Sequence, residues 1–173
     1  MKYIVIVLFS IFSFSQVEEP VSWSFEVNEL EKGGYVLKII AKINPGWHIY
    51  SQYKEPDSFM RETSFYFEKD DVKGVDFLDG DVQIIKDFPF VSKNGDPYRG
   101  LRVIFSEPEP IIKYLDFLDS VNRYFEDEAV FVQQIILNEP LSEIKGMLEY
   151  MACNNYECLP PQIVNFLFLL NSD

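Results

Sequence analysis

The sequence predicts an all-β sandwich, and three observations carry that prediction. Aromatic residues make up 16% of the 173 residues, as 16 Phe, 10 Tyr and 2 Trp, and such rings suit a pleated, half-buried surface. Apolar and polar residues alternate at a period of two through much of the chain. Clusters of Gly, Pro, Asn and Asp punctuate these runs at short, regular spacings that leave room for strands and for no long helix. With 47% apolar residues the chain is not of the disordered class. Its length suits one domain, or two small ones, with core enough to fold without staples.

Val21, Trp23, Phe25 and Val27 alternate with Ser22, Ser24, Glu26 and Asn28, which predicts a strand with one buried face. Lys32-Gly33-Gly34 marks a hairpin turn. After it Tyr35, Leu37, Ile39, Ala41 and Ile43 share a face, with Lys38 and Lys42 on the other. Asn44-Pro45-Gly46 breaks that strand, and residues 47–50 begin the next. Residues 63–68 read as an aromatic strand, 75–85 as two weaker strands about Asp79-Gly80, and 101–105 as a short strand after Gly100. Pro108 and Pro110 open 111–125, where aromatics and acids mix without a clean period, so a loop with a helical turn is expected. Residues 129–137 form a β-branched strand, and 146–153 and 159–170 the last two. Trp23, Phe25, Leu37, Ile39, Phe65 and Ile135 are the expected inward residues. There is no repeat and no linker, so residues 16–173 read as a single domain.

The first residues have a different pattern. Lys2 precedes an apolar run over 3–14 broken only by Ser10 and Ser13, and Ser13 and Ser15 supply small residues before Gln16. The run is too short to span a bilayer and acids come after it, so residues 1–15 are expected to be a secretory signal peptide. No Cys comes after the run, so no lipid anchor or other direct membrane anchor is expected. Lys and Arg total 15 against 28 Asp and Glu, a net charge of −13, which repels phosphate backbones and argues against nucleic acid as a partner. One His and two Cys cannot build a four-ligand zinc site of the usual kind. Asp70-Asp71 and Asp79-Gly80-Asp81 lack the spacing of a calcium loop. No metal and no cofactor is therefore expected. His48, on a strand beside Trp47, reads as a packing residue.

The cysteines, Cys153 and Cys158, are separated by Asn154-Asn155-Tyr156-Glu157. In an oxidising compartment a pair so close is expected to be a disulfide. Four residues is an ordinary hairpin loop, and cysteines facing each other across its base would have Cα atoms roughly 4.5–5.5 Å apart. Closing a loop of about six residues contributes only ~2 kcal/mol. Structural and redox roles both stay open on these grounds.

Met147-Leu148-Glu149-Tyr150-Met151-Ala152-Cys153 with Cys158-Leu159-Pro160-Pro161 resembles the active-site hairpin of the DsbD N-terminal domain, an exported immunoglobulin-like module of a transmembrane thiol:disulfide reductase. Gly46-Trp47-His48-Ile49-Tyr50-Ser51-Gln52 and Thr63-Ser64-Phe65 are similar to further stretches of that family. The resemblance covers most of 21–170, with 75–110 matching poorly. It implies an immunoglobulin-like β-sandwich with a cap loop over a Cys-x4-Cys hairpin. It also implies catalytic roles for Cys153 and Cys158, the latter forming mixed disulfides with partners. Asp116-Phe117, seven residues before Tyr124, match the cap in spacing, and Tyr50 matches an aromatic beside the pair. An apolar ring over the sulfurs would block stray thiols, and acids at Asp116 and Glu157 would disfavour a thiolate. The implied function is a periplasmic relay of electrons from a thioredoxin-like protein or membrane electron carrier to client oxidoreductases. Other chains are expected to supply the membrane carrier and the Cys-x-x-Cys motif. The alternative is an immunoglobulin-like protein-binding module whose disulfide is a staple.

Overall fold

Where apolar residues recur at every second position, the chain pairs into sheets. The computed structural model describes residues 19–54, 58, 60–85, 100–115 and 120–170. Their regular structure is strand, apart from one 3-10 turn over Glu31–Gly33. In chain order the strands are β1 (Val21–Glu29), β2 (Gly34–Ile43), β3 (His48–Tyr50), β4 (Ser64–Glu68) and β5 (Val75–Phe77). Next come β6 (Val82–Ile85), β7 (Gly100–Val103), β8 (Ile111–Leu115) and β9 (Ser120–Phe125). The last four are β10 (Glu128–Leu137), β11 (Glu143–Tyr150), β12 (Ala152–Cys153) and β13 (Gln162–Leu169).

Three antiparallel sheets result, ordered β1-β2-β10-β5, β13-β11-β4-β7-β6 and β12-β3-β9-β8. In the first sheet Phe25, Ile39 and Phe131 are cross-strand partners, so one face is apolar across three strands. That face meets the second sheet: Phe65 lies 5.0 Å from Phe131, Phe25 5.5 Å from Phe166, and Trp23 5.1 Å from Tyr150, between ring centroids. These are the spacings at which tilted and edge-to-face rings attract. Leu37, Ile39, Phe65 and Ile135 are buried, as expected, while Trp23 and Phe25 pack on the core from its half-buried margin. Gly80 turns the chain between β5 and β6 at φ 81°, and a Cβ there would stand 1.9 Å from the Ile104 carbonyl oxygen.

The third sheet is assembled from strands handed over by both of the others. β3 succeeds β2 across Asn44-Pro45-Gly46, β9 leads into β10 across Glu126-Asp127, and β12 succeeds β11 across Met151. Such corners occur where strands bend from one sheet into the next. Ile49, Phe125 and Ala152 carry the core into this sheet from its inner face.

Two expectations need correction. The described residues of 111–125 are not a loop with a helical turn: Ile111–Leu115 and Ser120–Phe125 are strands, paired from Ile111↔Tyr124 to Leu115↔Ser120. β8 is an edge strand with Ile111, Ile112 and Tyr114 all exposed, so no one-sided burial imprints a period of two. Residues 146–153 are not one strand either. β11 pairs with β13 as far as Tyr150↔Gln162, and beyond Met151 the chain pairs with β3 instead.

Candidate functional site

The cysteine hairpin begins where β11 ends. Cys153 and Cys158 are antiparallel partners joined by a disulfide, with Cα atoms 4.0 Å apart. This is closer than the spacing expected from an ordinary ladder. Leu159 donates its N–H to the Ala152 carbonyl and Asn154 donates to the Glu157 carbonyl, both at 2.9 Å. These bonds flank the cysteines and leave them as the narrow, non-hydrogen-bonded pair. The loop is held by Asn154, whose Oδ1 accepts from the N–H groups of Tyr156 (2.8 Å) and Glu157 (2.9 Å). Asparagine side chains favour such turns because they satisfy backbone donors locally. Tyr156 projects at the tip, 96% exposed.

The two sulfurs have unlike surroundings. Cys153 is 1% exposed, whereas Cys158 is exposed. β12 places Cys153 in a small cluster with Tyr50 and Met151, against which Met60 and Tyr124 pack. Tyr50 and Tyr124 are cross-strand partners, and so are His48 and Cys153. The His48 ring lies 4.8 Å from that of Tyr124 and 5.3 Å from that of Tyr50. His48 Nε2 and Tyr50 Oη are 3.2 Å apart.

Burial sets the protonation of these groups. It pushes the Tyr50 hydroxyl up to about 12, with Tyr124 adding to the shift. Tyr124 is also raised, by burial and then by Glu126. His48 is lowered, chiefly by burial and further by Lys113, against an opposing pull from Glu126.

β3 is braced from behind. Thr63 Oγ1 donates to the Tyr50 carbonyl at 2.6 Å. Gln52, buried, donates from its backbone N–H and from Nε2 to Glu107 Oε2, both at 3.0 Å. Its Nε2 also reaches the Phe105 carbonyl, and its Oε1 accepts from the Phe105 N–H, both at 2.9 Å. Ser51 Oγ donates to Glu107 Oε1. The aromatic row beside Cys153 therefore stands on a strand locked at its exit.

The structure brings Cys153, Cys158, Tyr50 and Tyr124 together. Glu157 sits next to Cys158, exposed, and gives its backbone to the turn. Asp116 and Phe117 lie outside the described residues, as do residues 1–15. The sequence reading missed the placement of His48 opposite Cys153 and the Gln52–Glu107 brace. Burial of Ser51 and Gln52 next to an aromatic strand has a local signal, but their partners are distant in sequence. Among the described residues no three His, Cys, Asp or Glu side chains gather as metal ligands would. A cavity of about 410 Å³ between β4, β11 and β13 is lined by Tyr66, Phe67, Met147 and Phe166 and includes neither cysteine. Among the described residues no helix is long and apolar enough to cross a membrane.

No family model and no curated protein matches the chain. Among solved structures it is similar to the N-terminal periplasmic domain of ScsB from Proteus mirabilis, at 12% identity and a TM-score of 0.48 over 86% of this chain. The chain spans 46% of that structure's length. It is also similar to the DsbD N-terminal domain of Neisseria meningitidis in its reduced form, at 14% identity and a TM-score of 0.46, covering 87% of this chain and 86% of that one.

Proposed function

We propose that Cys153–Cys158 is a reversible disulfide that exchanges with exported thiol and disulfide proteins. In that role it relays electrons from a thioredoxin-like protein or membrane reductase to periplasmic client oxidoreductases. The observation that supports this most is the asymmetry of the pair, one sulfur sealed at 1% exposure and the other open. A partner thiolate attacks along the S–S axis, so it reaches Cys158 and expels Cys153 as the leaving group. The bridge closes a loop too short to contribute more than ~2 kcal/mol as a staple, and the cysteine hairpin resembles the DsbD N-terminal domain.

In the reducing direction the partner dithiol supplies two electrons: its first sulfur bonds to Cys158 and its second displaces Cys158, leaving both cysteines of this chain as thiols. In the discharging direction Cys158 attacks a client disulfide and Cys153 resolves the mixed disulfide. Tyr50, Met151 and Tyr124 pack around Cys153 and keep other thiols from it, and Phe117 is proposed as the cap over the sulfurs. Asp116 and Glu157 are proposed to disfavour a free thiolate, which limits discharge to docked partners. A Cys153→Ser variant in the native host should capture thioredoxin-like proteins on Cys158. Capture by Cys158→Ser and not by Cys153→Ser would reverse the assigned roles. A bridge potential below about −300 mV, inert to thioredoxin-like proteins, would leave the binding module with a structural disulfide as the reading.

A further inference from the structure

Cys153 has two cross-strand neighbours, Cys158 on one side and His48 on the other. Residues directly opposite in antiparallel strands project from the same face with Cβ atoms roughly 4.5–5.5 Å apart. The Cβ atoms of His48, Cys153 and Cys158 therefore share one face, with Cys153 between the other two. Exchange requires Cys153 to lose a proton each time it resolves a mixed disulfide, because the thiolate is the nucleophile. At 1% exposure Cys153 is closed to bases in bulk water.

We propose that His48 is the proton acceptor for Cys153. His48 Nε2 and Tyr50 Oη are hydrogen-bond partners at 3.2 Å, and the proposed base is the tautomer in which Nε2–H donates to Tyr50 Oη and Nδ1 is the basic atom. The proposal rests on the reading of the pair as an exchanging disulfide. The groups facing His48 are Tyr50 on its own strand, Tyr124 on β9, Lys113 on β8, Glu126 before β10 and Cys153 on β12. The two tyrosines are raised and keep their protons at neutral pH. His48 is lowered by burial, so its imidazole is neutral there and acts as a base.

Atoms and electrons balance through the cycle. Cys158 thiolate attacks a client disulfide, forms a Cys158–client bond and releases one client thiolate. His48 takes the proton of Cys153, whose thiolate attacks Cys158 Sγ. The Cys153–Cys158 bond forms, the second client thiolate leaves, and it takes the proton back from the imidazolium. Two electrons pass from this dithiol to the client disulfide.

The test uses the reduced full chain and dithiobis(nitrobenzoic acid), a disulfide that releases a coloured thiolate at each step. Stopped-flow absorbance separates attack by Cys158, which depends on probe concentration, from resolution by Cys153, which does not. In His48→Gln the first phase should be unchanged and the second slowed by about 10²-fold. The wild-type second phase should level off at pH above the His48 titration, which burial lowers from the ordinary imidazole value of 6.5. In the variant it should climb into the thiol range near pH 8.5. An unchanged second phase, or one pH profile shared by both proteins, would overturn the proposal. If His48→Gln does not fold, the wild-type profile decides alone: a plateau supports the base, and a rise continuing into the thiol range excludes it. Both phases present with an unaffected variant refute His48 only. A wild-type chain that shows neither phase refutes the exchanging disulfide itself, and the base with it.

Discussion

At the scale of single residues, the site is a buried sulfur beside a buried phenol. Tyr50, at about 12, is raised from 10.0 because desolvation penalises its anion. The folded chain keeps that proton where the unfolded chain has lost it, so stability falls as pH rises through the window from 10.0 to about 12. Tyr66, Tyr124 and Tyr150 shift in the same direction, so Tyr50→Phe should reduce this alkaline loss without abolishing it. Urea midpoints measured across the window check the expectation, and a variant whose loss equals the wild type's would contradict it. Phe117→Ala addresses the proposed cap. A lid residue should leave the denaturation midpoint nearly unchanged while speeding exchange with a small thiol. A core residue should instead cost roughly 3–5 kcal/mol, and a large midpoint loss with an unchanged exchange rate would exclude the lid.

At the scale of elements, β3 is only three residues long yet carries His48 and Tyr50, so its position depends on the anchoring of Ser51 and Gln52 at its exit. Gln52 spends its amide on the Phe105 backbone and on Glu107. Gln52→Ala would leave the Phe105 N–H without that partner, and a buried donor left unpaired costs about 1–3 kcal/mol. A drop of that size in the urea midpoint, together with lost hydrogen-exchange protection at the Phe105 amide, is the expected outcome. Retained protection would show that the brace does not hold β3. In the β8–β9 ribbon, β9 turns polar Ser120 and Asn122 to its buried side, and β8 escapes a reading by period because it is exposed. With Ile111, Ile112 and Tyr114 exposed at 45%, 62% and 53%, successive side chains meet similar surroundings, and only pairing with β3 makes β9 part of the site.

At the scale of the whole molecule, the first and second sheets share one core, and Ile39 lies at its centre, fully buried between Phe25 and Phe131. Ile39→Asp places a carboxylate there without a partner and should cost several kcal/mol, on the order of the whole stability of a domain this size. Loss of the far-UV strand signature at room temperature checks it. Protein recovered from its native host should begin near Gln16, as the pattern over 1–15 predicts, and intact mass spectrometry showing a Met1 start would contradict export by that route. Local pattern was enough to assign the faces of β1 and β2, the inward position of Ile135 on β10 and the closure of the cysteine loop. Alternation in Val21–Glu29 and Gly34–Ile43 reports residue by residue which side of a strand is dry, and five residues of separation leave the two sulfurs little choice of partner. Only packing in three dimensions makes the chain leave the second sheet at Met151, pairs 111–115 with 120–124, and stands His48 opposite Cys153. The departure at Met151 and the His48–Cys153 pairing are matters of register between segments far apart in the chain, set by which apolar faces close on one another, for which no residue carries a local mark.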